Sequence, residues 1–290
     1  MRVLLTGSAG FVGRHLHAAL GQRGDDVRTV DLIYGLDCLE FFRVDRTRYD
    51  LAIHCAAIVG GRAAIDGSPL AVATNLALDS WYFRWLVQSG TPRAVYFSSS
   101  AVYPTALQSH DAGHRQLRET DVDLSHPSLP DVTYGLAKLT GEQLAAYARG
   151  EGVSVAIARP FSGYGEDQDL DYPFPSFAAR ARQRADPFEI WGSGQQVRDW
   201  IHIDDVVAGI LAVVDADVVE PVNLCTGRAT SFDELARAFM SAAGYDGALK
   251  ELGDRPQGVA YRVGDPTRML SIYEPKVSLE EGIRRALAVQ

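Results

Sequence analysis

Two side chains four residues apart carry a clear chemical signal. Tyr134 and Lys138 stand in YGLAK at the start of a predicted helix, a spacing that places both on one helix face a single turn apart. Of the twelve tyrosines, only Tyr134 has a lysine four residues later. A phenol has a pKa of about 10, and a neighbouring ammonium is expected to lower that pKa by stabilising the phenolate. The pair is therefore a candidate base for a substrate hydroxyl, although an exposed Tyr and Lys on a helix surface would show the same spacing.

A glycine-rich turn near the N-terminus is the second signal. The segment TGSAGFVG, residues 6–13, lies between a short apolar run and a helical pattern. Its glycine spacing permits a tight turn, close approach of the backbone to a pyrophosphate, and close packing of the next helix, whose N-terminus would face the anion. We therefore predict a dinucleotide site at this turn. The predicted contacts are Gly7, Gly10, Phe11, Val12 and Gly13.

The residue after the second predicted strand distinguishes between cofactors. Asp31 follows Gly13 by 18 residues, where a carboxylate accepts hydrogen bonds from both hydroxyls of a ribose. A 2′-phosphate would meet a like charge there, and no arginine directly follows. The sequence therefore predicts NAD rather than NADP, with a plain turn aspartate as the alternative.

Three consecutive serines form a third feature. They interrupt the apolar run in YFSSSAVYP, residues 96–104. Ser98 is expected to end a strand. The residue types alone leave open whether one of these serines takes part in chemistry.

Composition excludes several classes of function. The chain has 290 residues, 47% hydrophobic content and a formal charge of −9, which fits a large globular protein and argues against a nucleic-acid ligand. No apolar run approaches the roughly 20 residues of a membrane helix, and MRVLLTG enters a strand directly rather than forming a signal peptide. The three cysteines have neither zinc nor disulfide spacing. We expect a cytoplasmic protein with reduced thiols, no metal, and no nucleic-acid or membrane partner.

The elements that must position these side chains alternate between strand and helix. Strands are predicted at 3–5, 27–30, 51–54, 94–97 and 153–158, and helices at 11–22, 71–88 and 134–149. This alternation of buried strands and helices implies an α/β fold with a doubly wound parallel Rossmann sheet. After Pro160 the pattern becomes irregular, with a return to the sheet near 222–224. We predict an NAD-binding domain of 1–158 plus about 193–224, and a smaller interleaved substrate-binding lobe of about 159–192 plus 225–290.

The segment between residues 31 and 50 is short for the two strand–helix units it should hold. We interpret it as a vestigial strand ending at Asp37, which then caps a helix from about Cys38 to Arg46. A third strand at 41–44 is the alternative.

A series of motifs resembles the extended short-chain dehydrogenase/reductase family, in its branch of nucleotide-sugar epimerases, dehydratases and reductases. In chain order, they are TGSAGFVG, HCAA at 54–57, Asn75, SSSAVYP, Tyr134 with Lys138, ARP at 158–160, WGSGQQVRDWIHIDDV at 191–206 and EPKVSLEEGIRR near the end. The resemblance covers nearly the whole chain. It implies NAD, a nucleotide-sugar substrate, and a homodimer formed through the helices that contain Ala77–Val87 and Tyr134–Ala148.

The resemblance also implies catalytic roles. Ser99, four residues before Tyr103, would hydrogen-bond the reacting hydroxyl or ketone. Tyr134 would exchange the proton, and Lys138 would also bind the nicotinamide ribose.

Further binding residues follow from the same resemblance. Asp37 resembles the acidic residue that meets the adenine, and Ala56 and Ala57 would line the cofactor. Arg198 matches an arginine that grips the sugar-nucleotide diphosphate, a role suited to a planar cation with several donors.

The remaining substrate contacts are predicted in the same way. Arg262 is a second candidate for the diphosphate, and Ser100 and Ser162 are predicted substrate contacts. A surface ion pair with Asp199 is the alternative for Arg198.

Two departures from the family narrow the chemistry. Sugar 4,6-dehydratases carry Asp-Glu directly after the active-site residue, whereas Ser100 and Ala101 stand here, so dehydration is not expected. Two segments, AAIVGG at 56–61 and VYP at 102–104, most resemble the corresponding segments of GDP-fucose synthase. The epimerising cysteine of that enzyme aligns with Ala101, and its histidine has no counterpart around LDYPFPSF. Epimerisation at C3 and C5 would therefore have no obvious acid or base.

Two reactions remain open. In 4-epimerisation, hydride passes to NAD and returns to the other face of the keto sugar, whereas 4-ketoreduction runs half of that cycle and consumes reduced cofactor. We favour epimerisation because Asp31 fits a retained NAD, while biosynthetic reductases more often use NADPH. A dinucleotide-binding protein without turnover is the third alternative.

Overall fold

Helices pack on both faces of a parallel six-stranded sheet. The computed structural model describes residues 1–59, 69–255 and 258–289. The described strands are β1 Arg2–Thr6, β2 Asp26–Val30, β3 Leu51–His54, β4 Arg93–Phe97, β5 Ser154–Pro160, β6 Ser162–Tyr164, β7 Phe188–Trp191, β8 Val197–Arg198, β9 Trp200–His202, β10 Val222–Leu224, β11 Thr230–Ser231, β12 Leu249–Leu252 and β13 Tyr261–Arg262. The described helices are α1 Phe11–Gln22, α2 Cys38–Val44, α3 Ala71–Ser89, α4 Tyr134–Gly150, α5 Pro173–Arg182, α6 Ile203–Asp215, α7 Phe232–Ala242, α8 Thr267–Leu270 and α9 Leu279–Ala288.

The order of the main sheet is β10-β5-β4-β3-β1-β2, and every neighbouring pair is parallel. The chain therefore winds outward from β1 in one direction to β2 and in the other to β3, β4 and β5. A sheet that reverses its winding leaves a crevice at the carboxyl ends of the strands where the reversal occurs. The predicted doubly wound Rossmann sheet is confirmed, and the strands predicted at 3–5, 27–30, 51–54, 94–97 and 153–158 each overlap an observed strand.

Alternating side chains of each strand enter two separate cores. On β1, Val3 and Leu5 pack toward α1 and α6, whereas Leu4 packs toward Trp85 and the other side chains of α2, α3 and α4. Both faces of the sheet are thus covered by helices. This explains why the strands read as continuous apolar runs rather than as an alternation of apolar and polar residues.

The segment between β2 and β3 differs from the prediction. A 3-10 turn replaces the predicted strand, because the carboxylate of Asp31 accepts a hydrogen bond from the N–H of Ile33 (3.0 Å) and starts the turn. Asp37 does cap α2, as predicted, by accepting a bond from the N–H of Leu39 (2.6 Å). The helix ends at Val44, earlier than predicted.

The later strands and helices build a third core rich in aromatic residues. β6 pairs with β9, β7 pairs with β12, and β8 lies between β11 and β13. Phe174 and Phe239 meet edge to face with ring centroids 4.9 Å apart, and Phe177 meets Phe188 at 5.2 Å. β10 returns to the main sheet beside β5, as predicted.

The three cysteines are free thiols, with Cys38 and Cys225 buried and Cys55 partly buried. Burial raises the pKa of Cys38 and of Cys55 to about 12, so both remain protonated near neutral pH. In the described part of the chain, no helix has the length and apolar character needed to cross a membrane.

A buried ion pair ties α4 to the main sheet. Glu142 on α4 accepts two bonds from Arg159 on β5, Nε to Oε1 at 2.8 Å and Nη2 to Oε2 at 2.7 Å, and both side chains are at most 1% exposed. Ser98, after β4, donates to the same carboxylate. Arg159 also donates to the hydroxyl of Tyr103, which donates to Asn223 on β10. The network fixes α4 against the carboxyl ends of three strands.

We expect Glu142→Ala to lower the free energy of unfolding by about 3–5 kcal/mol, because the buried Arg159 guanidinium would lose its charged partner. Urea denaturation followed by circular dichroism measures this change. The control is Lys250→Ala, which removes an exposed ion pair with Glu189 and should leave the midpoint unchanged. Equal stability of the Glu142→Ala variant and the parent protein would contradict the role given to the pair.

Candidate active site

A cavity of about 970 Å³ opens at the carboxyl ends of the sheet strands and reaches the third core. The predicted site residues that line it are Gly7, Gly10, Phe11, Val12, Gly13, Asp31, Asp37, Ala56, Ala57, Ser99, Ser100, Tyr134, Ser162, Arg198 and Arg262. Lys138, the remaining predicted residue, is 2% exposed and lies behind the wall of the cavity. The fold therefore brings together residues that the sequence separates by up to 255 positions, from Gly7 to Arg262. Gly60 and Gly61 of the AAIVGG motif lie outside the described residues.

The turn between β1 and α1 has the shape that a dinucleotide requires. A Cβ on Gly13 would lie 2.0 Å from the carbonyl oxygen of Gly7, so the first turn of α1 packs directly on the loop. Gly10 is the N-cap of α1, and no side chain caps this end of the helix. The N–H groups of residues 11–13, which line the cavity, are thus oriented to bind an anion such as a pyrophosphate. These residues fit NAD.

Asp31 connects the glycine loop to the turn after β2. Its Oδ2 accepts a hydrogen bond from the N–H of Ala9 (2.9 Å), and its Oδ1 accepts the bond from Ile33 described above. Each carboxylate oxygen can accept a further bond, so ribose hydroxyls remain possible donors. Asp37 also lines the cavity while its Oδ1 caps α2.

The start of α4 lies directly against the turn that follows β4. A Cβ on Gly135 would lie 2.4 Å from the carbonyl oxygen of Ala101, so no larger side chain fits at that position. This close approach brings Tyr134 beside Ser99. The Ser99 hydroxyl also caps its own turn by accepting a hydrogen bond from the N–H of Ala101 (3.0 Å).

The electrostatics of Tyr134 differ from the prediction. Burial raises the pKa of the phenol above its usual range, the negative charge of Asp79 raises it further, and the Ser99 hydroxyl lowers it. The Nζ of Lys138 lies 5.8 Å from the centroid of the Tyr134 ring and 4.8 Å from that of Tyr96. The prediction that the ammonium lowers the pKa of Tyr134 is wrong in net direction. Asp79, which the sequence analysis missed, contributes a buried negative charge close to the pair.

Two arginines lie side by side in the part of the cavity that is formed by the later strands of the chain. Arg198 on β8 is opposite Arg262 on β13 in a parallel pair of strands. Burial and the positive charge of Arg262 lower the pKa of Arg198 to about 9, which leaves the guanidinium protonated near neutrality. Arg198 lies over the ring of Phe232, and Arg262 donates to Gln108. In the alternative prediction, Asp199 is the partner of Arg198. The Asp199 side chain is fully buried and accepts hydrogen bonds from backbone N–H groups, so the structure does not show a surface ion pair between the two residues.

Sequence reasoning missed several polar side chains of the cavity, namely Asp131, Gln168, Asp171, Tyr172 and Arg180. Asp131 has a local signal, since its Oδ1 accepts bonds from the N–H (2.9 Å) and hydroxyl (2.7 Å) of Thr133 just before α4. No local sequence pattern marks Tyr172 as a site residue. Burial and the nearby Tyr134 raise the pKa of Tyr172 to about 12. Among the residues that the structure describes, no cluster of three His, Cys, Asp or Glu side chains is placed to hold a metal ion.

Comparison with known proteins agrees with this geometry. The model of the NAD dependent epimerase/dehydratase family matches residues 3–225. The chain is 30% identical to dTDP-4-dehydro-6-deoxy-D-allose reductase of Streptomyces bikiniensis, over 97% of this chain and 95% of the relative. It is 27% identical to GDP-mannose 3,5-epimerase 1 of Oryza sativa subsp. indica, over 98% of this chain and 80% of the relative. The solved structure of MoeE5 in complex with UDP-glucuronic acid and NAD matches with a TM-score of 0.80 at 28% identity, covering 98% of this chain and 96% of that chain.

Gly13→Ala should weaken NAD binding at least tenfold, or by ~1.4 kcal/mol, because the new methyl group would force α1 away from the loop. Isothermal titration with NAD measures the affinity. Gly21→Ala, in the same helix, is the matched control, since a Cβ there meets nothing within 4 Å. It should bind NAD normally and gain about 0.5–1 kcal/mol of stability. Equal NAD affinity of the two variants would contradict the proposed cradle.

Proposed function

Because the chain belongs to the NAD dependent epimerase/dehydratase family, we propose that it epimerises a nucleotide sugar at C4 by transient oxidation and re-reduction. Enzymes of this family act on sugar nucleotides, and NAD is the cofactor. The observation that carries the proposal is the position of Tyr134 and Ser99 in the same cavity as the glycine loop, with Lys138 buried behind the phenol.

Each of these residues has a role that its position supports. Ser99 holds the oxygen at C4 by a hydrogen bond, and Tyr134 removes the hydroxyl proton and later returns it. NAD held by the glycine loop would supply a hydride acceptor and a positive charge, and that charge would oppose the upward pKa shift of Tyr134. Epimerisation also requires the keto sugar to turn before it is reduced. A cavity of about 970 Å³ leaves room for that movement.

The acidic groups of the cavity do not favour dehydration. Asp31 and Asp37 lie at the cofactor end, Asp131 is bonded to Thr133 at the start of α4, and Asp171 is solvent-exposed in the segment before α5. The positions after Ser99 are Ser100 and Ala101, which cannot serve as an acid and base for loss of water. Proton exchange at C4 therefore rests on Tyr134.

Arg198 and Arg262 are suited to hold the diphosphate of the substrate. Their positive charges repel each other across neighbouring strands, and an anion between them would relieve that repulsion. A guanidinium can donate two parallel hydrogen bonds to phosphate oxygens, which gives the contact both strength and orientation. This supports a nucleotide sugar as the substrate class.

One observation favours 4-ketoreduction as a second candidate. Burial and Asp79 favour the protonated form of Tyr134, which is the form that donates a proton to a keto oxygen. The relative with 30% identity is named a reductase. Ketoreduction uses the same residues but consumes one reduced cofactor per turnover.

The two candidates differ in their need for added cofactor. The protein should be purified, its retained NAD quantified, and then incubated with UDP-, GDP- and dTDP-hexoses without further NAD. Conversion of a hexose to its C4 epimer with no net change in NADH absorbance is the expected result. Loss of NADH or NADPH in equal amount to a supplied 4-keto sugar would instead support reduction.

Tyr134→Phe should lower kcat by about 10²–10⁴-fold in either reaction, because the phenyl ring cannot exchange a proton. Tyr147→Phe is the matched control, since Tyr147 lies on the same helix and is 64% exposed. It should retain full activity. Unchanged activity of the Tyr134→Phe variant would overturn both candidates.

The helices α3 and α4 also support a homodimer. They pack side by side, and each presents an apolar side chain to solvent, Val87 on α3 and Leu136 on α4. A twofold axis between these helices would pair the same surface of two copies.

Analytical ultracentrifugation should give twice the mass of one chain. Val87→Asp should weaken this association at least tenfold, because it places a charge in the apolar contact. Leu270→Asp, at an exposed position on α8, is the control and should remain dimeric. A parent protein that sediments as a monomer would contradict the proposed dimer.

A further inference from the structure

A chain of buried polar side chains lies behind Tyr134, between the main sheet and the helices α3 and α4. Its members are Thr6, His54, Asp79, Tyr96 and Lys138, and none is more than 2% exposed. Thr6 Oγ1 lies 2.7 Å from His54 Nδ1, and His54 Nε2 lies 3.2 Å from Asp79 Oδ1. Tyr96 donates its hydroxyl to Asp79 Oδ2 at 2.5 Å. The Nζ of Lys138 lies over the face of the Tyr96 ring.

Asp79 is a buried carboxylate, a group that is stable only when it is paired with a cation or hydrogen-bonded. His54 does not supply the charge, since burial lowers its pKa and keeps the imidazole neutral. Its contact with Oδ1 is also not aligned as a hydrogen bond. The Lys138 ammonium makes the largest contribution to lowering the pKa of Asp79, and the contacts of Asp79 with His54 and Tyr96 lower that pKa further. The Asp79 carboxylate and the Lys138 ammonium therefore balance each other's charge within the protein interior.

Tyr96 is the physical link between these counter-charges. Its hydroxyl bonds to Asp79, and its ring face receives the Lys138 ammonium, a favourable cation–π arrangement. The hydroxyl end of Tyr96 packs tightly against α4, because a Cβ on Gly141 would lie 1.9 Å from the Tyr96 hydroxyl. The position of Lys138 thus depends on a ring that Asp79 holds from its other end.

We propose that Asp79 is a positioning residue of the active site, which fixes Lys138 through Tyr96 and places a buried negative charge close to Tyr134. The inference rests on the proposed role of Tyr134 as the group that exchanges the substrate proton. Asp79 touches neither the cavity nor the reacting atoms, so it would act only through its neighbours.

The other titratable groups around Asp79 can be separated from its effect. They are His54 and Cys55 from β3 and the residue after it, Tyr82 from α3, Tyr96 from β4, and Tyr134, Lys138 and Glu142 from α4. Burial raises the pKa of Cys55, Tyr82 and Tyr96, so these three stay protonated and uncharged. Glu142 is paired with Arg159. Asp79 and Lys138 are therefore the two charges of this group that bear most directly on Tyr134.

Asp79→Asn is the direct test, because it removes the charge and keeps the shape. Asp79 raises the pKa of Tyr134, so the neutralisation of Asp79 should lower that pKa. The limb of the kcat/KM–pH profile that reports Tyr134 should move to lower pH by about one unit. Glu151→Gln, an equal change of charge at the exposed end of α4, should leave this limb in place.

Tyr96→Phe tests the link separately and covers the case in which Asp79→Asn fails to fold. It keeps the ring under Lys138 and removes the hydroxyl that holds Asp79. We expect kcat to fall about tenfold while KM changes less than twofold, as is typical when an outer residue that orients a reacting group is lost.

Three outcomes distinguish the possibilities. A shifted limb in Asp79→Asn, or a lower kcat in a folded Tyr96→Phe variant, supports the inference. If both variants only lower the melting temperature and leave the pH limb and kcat unchanged, Asp79 is merely structural and the inference is overturned. If Tyr134→Phe keeps full activity, the proposed function itself fails, whatever the Asp79 variant does.

Discussion

The ion pair between Glu142 and Arg159 is the constraint on which the rest of the site depends. The proposed chemistry requires the start of α4 to lie against the ends of the strands, because Tyr134 is on the helix and Ser99 follows β4. A helix packed by apolar contacts alone could slide or rotate by small amounts. Two short parallel bonds between fully buried charges, with Ser98 bonded to the same carboxylate, permit one arrangement. The contact of Gly135 with Ala101 then sets the distance between helix and turn.

Charge is distributed unevenly along the cavity, and this unevenness is consistent with two anionic ligands, a dinucleotide at one end and the diphosphate of the proposed substrate at the other. The N-terminus of α1 offers backbone N–H groups near Asp31, and Arg198 and Arg262 place two positive charges at the other end. Between them, the Lys138 ammonium is balanced by Asp79 and is kept out of the cavity. The middle of the site therefore holds a phenol and a hydroxyl, groups that can move a proton without binding a phosphate.

The sequence predicts those parts of the fold and site that depend on neighbours in the chain. The strands, α1, α4 and the Asp37 cap follow from local patterns, and the fold class is confirmed. The strand expected before Asp37 is absent because the Asp31 side chain starts a turn, an effect that an apolar pattern does not reveal. The direction of the pKa shift of Tyr134 is predicted wrongly for a similar reason. Asp79 is 55 residues away on α3, and only the packing of α3 against α4 brings it close.

The central claim is that hydride leaves C4 of the sugar and returns to C4 without exchange with water. The direct test is conversion of a nucleotide hexose that carries deuterium at C4, followed by mass spectrometry and proton NMR of the product. The expected product is a C4 epimer that retains deuterium at C4, with no solvent hydrogen incorporated at C3 or C5. Loss of the C4 deuterium to water, or uptake of solvent hydrogen at C3 or C5, would contradict it.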